Sequence, residues 1–270
     1  MPWRTLALWA VSILIAVPVN AETQRVEGLE FDRVEVHGDI EVEISQGTST
    51  ELLLRGDSDE LAQQPFFLSG ETLVLGRSNQ DSDQDFDDVK YKLILTDLRY
   101  LGVQGSSEVY VKPLDVADLH LAVEGSGEVK AHGLSGGEIN LALAGSGDIQ
   151  AVNLRARKLR LVLSGSGDIH LGELEATDVD VALKGSGDIR LHDGGEAVSI
   201  EINIAGSGDA DFSRLDVNVA EVNIVGSGTG RVGTVNTLEA NILGSGDVYY
   251  RGEPEIERAV MGSGDLHSVR

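Results

Sequence analysis

The chain contains no cysteine, and that absence removes disulfide scaffolds, thiol nucleophiles, cysteine-ligated zinc and the lipid-modified cysteine of a lipoprotein anchor. Aromatic residues fill 4% of its 270 positions, so the core must be made of Val, Ile, Leu and Ala, which suit narrow and regular packing. Basic residues are scarce, at 21 against 45 acidic ones, for a formal charge of -24. A surface of that sign repels phosphate backbones and anionic lipid, which argues against nucleic acid and favours cations or basic surfaces as partners. Beyond the first residues no run is apolar enough to cross a bilayer as a helix, so no transmembrane segment is expected in the mature chain.

Residues 1–21 read as a secretory signal peptide. Arg4 supplies the positive start, Leu6 to Val17 the apolar run, and Val19-Asn20-Ala21 a small-residue cleavage site before Glu22. The apolar run is short for a membrane span, which needs about 20 residues. The expected localisation is therefore export by signal peptide to the periplasm or exterior of a bacterium.

What is abundant is glycine, at 33 residues, and it is not randomly placed. Gly-Ser-Gly followed by an acidic residue, or a close variant, starts at Gly105, Gly125, Gly145, Gly165, Gly185, Gly206, Gly226, Gly244 and Gly262. The spacings are 20, 20, 20, 20, 21, 20, 18 and 18 residues. Around each copy apolar residues alternate, as in Leu119-x-Leu121-x-Val123, Ile139-x-Leu141-x-Leu143 and Leu159-x-Leu161-x-Leu163. After the acidic residue come Ile149-x-Ala151, Ile169-x-Leu171 and Ile189-x-Leu191, and a further leucine recurs near the next corner at Leu114, Leu134, Leu154 and Leu174. Alternation with period two marks strands with one buried face.

A single unit holds too few aliphatic side chains to offset the entropy of ordering its own backbone. Stacking solves this, because each unit then shares hydrogen bonds and apolar contacts with a neighbour on either side. The expected fold is all-β, a single-stranded parallel β-helix with about 20 residues per coil and like residues at roughly 4.8 Å spacing. The expected hand is right, the usual one for broad three-faced coils with bulky aliphatic stacks. Residues 22–104 are expected to start or cap the solenoid, and 105–270 to form its repeats. Gly125, Gly127, Gly145, Gly147, Gly165, Gly167, Gly185, Gly187, Gly206 and Gly208 are read as structural turns, where stacked corners leave no room for a Cβ.

The order of these features carries a resemblance. Phe31-x-x-Val34-x-Val36-x-Gly38-x-Ile40-x-Val42, then Leu93-x-Leu95-x-x-Leu98, then serial Gly-Ser-Gly-Asp motifs resembles the bacterial family described as "putative auto-transporter adhesin, head GIN domain". The resemblance implies an exported β-helical domain with a role in adhesion or surface binding, and it brings no catalytic residues. The C-terminal residues do not resemble a membrane-inserted translocator barrel.

Candidate chemistry centres on carboxylates. Asp148, Asp168, Asp188 and Asp209 would stack in a column with Glu108, Glu128, Asp247 and Asp265, broken at Thr229. Backbone amides could cap such a column, or calcium could bridge it, since calcium accepts oxygen ligands in flexible geometry. Calcium-binding β-rolls use a nine-residue repeat that is absent here. Asp81, Asp83 and Asp85 form a second candidate cation site, lacking the glycine and terminal glutamate of an EF-hand. No other cofactor is expected. Gly133-Leu134-Ser135-Gly136-Gly137 matches a nucleophile elbow by letters but lacks a following helix pattern. The histidines (His37, His120, His132, His170, His192, His267) fall in different registers and read as isolated exposed residues, and the outward basic residues Arg160, Lys184, Arg190 and Arg231 as scattered.

These features favour a non-catalytic binding or structural module whose partner is an envelope, matrix or polysaccharide ligand, with a homodimer through the end strands open. A calcium-binding solenoid and a carbohydrate-active β-helix enzyme are the alternatives. The enzyme needs two carboxylates about 5–9.5 Å apart beside long loops. A ladder satisfies that distance trivially and supplies no loops.

Overall fold

A computed structural model describes residues 21–79 and 86–270. The repeats stack in parallel as a β-solenoid of about 8 turns, with coils of about 20 residues. Register is like on like: Leu141 pairs with Leu161, Leu143 with Leu163 and Gly145 with Gly165, and in the next coil Ile149 faces Ile169 and Leu154 faces Leu174.

The strand Asp148–Gly165 shows how one coil closes. Its inward residues are Ile149, Ala151, Leu154, Ala156, Leu159, Leu161 and Leu163, all buried. Strict alternation would send them to opposite faces as the chain advances. Two outward residues in a row, at Val152-Asn153 and again at Arg157-Lys158, reset the phase, and each such pair is a corner. Gly165-Ser166-Gly167 makes the third corner. The cross-section is therefore three-sided, with a short face after the acidic residue, a shorter middle face around Leu154 and a broad face from Lys158 to Gly165.

The glycines at the third corner do two different jobs. Gly165 has φ +138°, a conformation open to glycine and strained for other residues. Gly167 has no such φ, yet a Cβ there would lie 2.0 Å from the carbonyl oxygen of Gly147 in the coil below. The neighbouring amides hold that spacing: Ser166 and Gly167 donate to the Gly145 carbonyl at 2.9 and 3.1 Å.

The N-terminal part departs from simple stacking. Strands Arg33–Gly38 and Glu41–Gln46 lie parallel on Tyr100–Gly105 and Glu108–Val111, so the first coil joins the repeats directly. Thr72–Leu75 and Lys90–Leu95 add a further parallel layer. Beyond it Glu51–Asp57 runs antiparallel to Lys90–Leu95, and Ala21–Glu27 antiparallel to Glu51–Asp57. Leu61, Phe86 and Tyr91 are buried under this cover. At the other end Glu255–Gly262 pairs with Thr237–Gly244 on one edge, and all eight of its residues are exposed. There Arg258 stands in the inward column above Ala240, its guanidinium 3.8 Å from Asp265.

Candidate functional site

Three features of the solenoid could carry chemistry: the acidic column on the short face, the histidines, and a groove along the middle face.

The acidic column is engaged with its own neighbours. The backbone N–H of Asp188 donates to Asp168 Oδ1 at 2.8 Å, that of Asp209 to Asp188 Oδ1 at 2.9 Å, and that of Thr229 to Asp209 Oδ1 at 3.0 Å. Asp168 N–H donates in the same way to Asp148 Oδ1 at 3.2 Å. Each carboxylate thus caps the equivalent residue one coil on. Two residues further along the chain the side chain points to the same side, and here the structure corrects the reading of scattered basic residues. Arg190 and Arg231 belong to one outward column with Lys130. Arg190 donates to Asp188 Oδ2 at 2.5 Å, Arg231 to Asp209 Oδ2 at 3.2 Å, and Lys130 to Glu128 Oε2 at 2.6 Å. The hydrogen bond to Glu128 holds the Lys130 ammonium above the usual lysine range. Among the described residues no group of three or more histidines and carboxylates is arranged to hold a metal ion. Asp81, Asp83 and Asp85 lie outside the described residues, as does the proposed leader up to Asn20.

The histidines are not all isolated or exposed. His37 is 6% exposed, and burial, reinforced by the charge of Arg77, lowers its pKa below the usual 6.5. His170 Nδ1 and His192 Nε2 are 3.0 Å apart. His170 pairs in register with Arg190, and His192 stands two residues on along the same outward side, at the point where one extra residue in its coil shifts the register between Leu171 and Glu173. The spacing of 21 residues marked that coil in the sequence, but not which side chains it would bring together.

On the broad face, Asn223 donates to Asn203 Oδ1 and Asn241 to Asn223 Oδ1, both at 3.0 Å. Glu201, Glu221 and Glu239 run beside this ladder as acceptors from the same amides.

The groove encloses about 750 Å³. Its floor is backbone at Leu114, Leu134, Leu154 and Leu174, whose side chains point into the core and are buried, with Gly195 in the same register at the next level. One wall is built from Pro113, Gly133, Asn153 and Glu173, with Gly194 in register on Glu173 and Asp193 just before it at the register shift; the other from Asp115, Ser135, Arg155, Glu175 and Glu196. Gln46 closes one end, donating to the carbonyls of Thr96 and Asp115. The groove crosses six levels of the solenoid, about 24 Å at roughly 4.8 Å per coil. It exists because each inward leucine is flanked by two outward residues, such as Asn153 and Arg155 around Leu154, whose rows rise on either side of the backbone. Ser135, the centre of the elbow-like motif, is one wall residue; its hydroxyl donates to Asp115 Oδ1 at 3.0 Å, and the chain after it continues as strand to Gly145.

Residues 30–193 and 140–254 each match the family described as "putative auto-transporter adhesin, head GIN domain". Among solved structures, a protein described as a putative lipid binding protein from Parabacteroides distasonis is 26% identical over 93% of this chain and 97% of its own, with a TM-score of 0.66. A putative adhesin from Parabacteroides merdae is 19% identical over 93% of this chain and 96% of its own, with a TM-score of 0.69. Another putative adhesin from Parabacteroides distasonis is 20% identical over 93% and 98%, with a TM-score of 0.66. At those last identities the likeness is one of fold. No curated protein matches the chain significantly.

Proposed function

The chain belongs to the "putative auto-transporter adhesin, head GIN domain" family, and from that membership we propose that it is a non-catalytic binding module, exported to the bacterial envelope or beyond, whose ligand lies along the groove of the middle face. The observation that carries this reading is the groove: a straight trough between two rows of outward side chains, Pro113 to Glu173 on one side and Asp115 to Glu196 on the other, running across successive coils. A linear ligand laid along the axis would meet the same kind of contact at every coil. Elongated sites of that shape are how stacked-repeat proteins present binding surfaces.

Two facts weigh against the alternatives. The column carboxylates from Asp148 to Asp209 already accept backbone hydrogen bonds, which supports capping rather than a calcium ladder. The coils between Gly105 and Gly185 keep one length, which supports a surface for binding rather than a cleft walled by long loops. A lipid chain is the second reading, favoured by the relative described as a putative lipid binding protein.

Gly133→Trp tests the site. A Cβ at Gly133 would meet the Pro113 side chain at an ordinary 3.5 Å, so the fold has room for a side chain there and the indole fills the groove. Arrays of glycans, peptides and lipids probed with the mature chain should give a ligand whose binding the variant loses with an unchanged far-UV spectrum. If Gly133→Trp keeps every ligand that the parent chain binds, the groove is not the site.

A further inference from the structure

On the short face the residue two beyond the column acid is a paired cation in three coils: Lys130 with Glu128, Arg190 with Asp188 and Arg231 with Asp209. His170 holds that position after Asp168, in register with Gln150 on one side and Arg190 on the other. Its Nδ1 meets His192 Nε2 of the next coil at 3.0 Å, with the ring centroids 5.1 Å apart and the planes inclined by 41°. His192 and Asp193 are consecutive exposed residues at the corner of the coil with the extra residue. The Asp193 carboxylate reaches over Gly172, where a Cβ would lie 3.1 Å from Oδ2, and Gly172 is two residues beyond His170 on the same outward side. The nearby cations are engaged elsewhere. Arg190 is held by Asp188 Oδ2 at 2.5 Å, and Arg214 donates to the carbonyl of His192.

Two neutral imidazoles in contact share one proton, one nitrogen donating and the other accepting. With the proton of His170 on Nε2 and that of His192 on Nδ1, both facing nitrogens present lone pairs instead. His192 is exposed, so its ring can turn until the two lone pairs meet at one point outside the sheet. Bonds of about 2.0–2.1 Å to each nitrogen, across the 3.0 Å that separates them, subtend about 94° at a metal ion. A tetrahedral ion would need the nitrogens about 3.3 Å apart. A right angle is the cis angle of square-planar or tetragonal coordination, which nitrogen and oxygen donors give to copper(II) and nickel(II). We propose that His170 Nδ1 and His192 Nε2 are two cis ligands of a divalent metal site suited best to copper(II). Water fills the remaining positions, and the charge of Asp193 draws the cation to this edge. The ion ties two coils together where the register shifts between Leu171 and Glu173, and so clamps the one irregular step between these coils. The site is independent of any ligand in the groove.

The test is calorimetric titration of the mature chain, stripped with EDTA and dialysed, with copper(II), nickel(II), zinc and calcium chlorides. Copper should bind most tightly, zinc more weakly and calcium not at this site. The electron paramagnetic resonance spectrum of the copper complex should show coupling to two imidazole nitrogens. His170→Asn and His192→Asn should each weaken copper by at least about tenfold and leave one coupled nitrogen. His132→Asn, at an exposed histidine in another register, should change neither reading, which separates the pair from copper held loosely by the acidic surface. Copper should also slow amide exchange on both sides of the register shift, around Gly172 and Gly194. If both single variants bind copper like the parent, or zinc binds as tightly as copper, the pair is a hydrogen bond between coils and nothing more. Should a variant lose its far-UV spectrum, the nitrogen count of the parent decides alone, and fewer than two overturns the site.

Discussion

Replacing Gly167 by alanine puts one methyl group where the stacking leaves no space. Its carbon would sit 2.0 Å from the Gly147 carbonyl oxygen and 3.0 Å from a Leu143 methyl, against an ordinary contact of 3.4 Å or more. To relieve the overlap the corner must move away from the coil below by more than an ångström. That motion stretches the hydrogen bonds from Ser166 and Gly167 to Gly145 and from Asp168 to Gly147, now 2.9, 3.1 and 3.3 Å. Three backbone bonds weakened by up to about 1 kcal/mol each, with some loss of packing at Leu143, give about 2–4 kcal/mol of destabilisation. Gly165→Ala should cost at least as much, because its φ of +138° adds backbone strain of about 1–2 kcal/mol to the same kind of overlap. Ser166→Ala, on an exposed corner side chain, should stay within about 0.5 kcal/mol of the parent. Hydrogen exchange is the assay of choice, since stacked repeats unfold by neighbouring units and the loss of protection should centre on the coils at Gly147 and Gly167. Urea unfolding supplies the total. If Gly167→Ala and Ser166→Ala unfold alike, the close-approach account of the second glycine is wrong.

Other outcomes follow from the same structure. Asp188→Ala should cost about 1–2 kcal/mol in urea unfolding, since it strips the cap from Asp209 N–H and the partner from Arg190, while Asp188→Asn keeps an acceptor and should cost less than half of that. With those oxygens engaged, melting in calcium and in EDTA should coincide; a bound ion at a hundred times its Kd would add about 2.7 kcal/mol and show clearly. Burial holds His37 neutral in the fold with a pKa below 6.5, so the unfolded chain binds more protons as acid is added. Its contribution is therefore complete above pH 6.5 and declines as pH falls through the folded value, and His37→Gln should flatten the stability profile between pH 7 and 5. Arg258→Leu should drive self-association measured by light scattering, because a charge in the inward column of an open edge opposes pairing; unchanged mass would show that the end is protected by something else.

The coil was legible because the sequence repeats at the period of the structure. Gly145, Gly165 and Gly185 announce one corner, and Leu159-x-Leu161-x-Leu163 announces a face with one side buried. The recurrent Leu114, Leu134, Leu154 and Leu174 were visible as an inward column, but the groove outside them was not, since a concavity depends on how far the two flanking rows project. The pairing of Arg190 with Asp188 and Arg231 with Asp209 follows from side chains two apart sharing a face, a signal present in the sequence once the acidic register is taken as the origin. The cap over Lys90–Leu95 was not readable. Its strands alternate like the others, and nothing in Glu51–Asp57 says that it runs antiparallel. The meeting of His170 and His192 is a diagonal contact, between His170 and the residue two beyond its register partner Arg190, and needs the register before it can be seen.

Like-on-like register makes length an independent variable of this molecule. Removing residues 146–165 would bring Gly145 against Gly185 with the same neighbours that Gly165 now has, so the cross-section and both ends are preserved. The channel beside the leucines would lose one rung, roughly 4.8 Å, and nothing else. Relatives with more or fewer coils would then act as gauges of different reach for the same sort of cargo, tuned by counting turns rather than by reshaping a pocket.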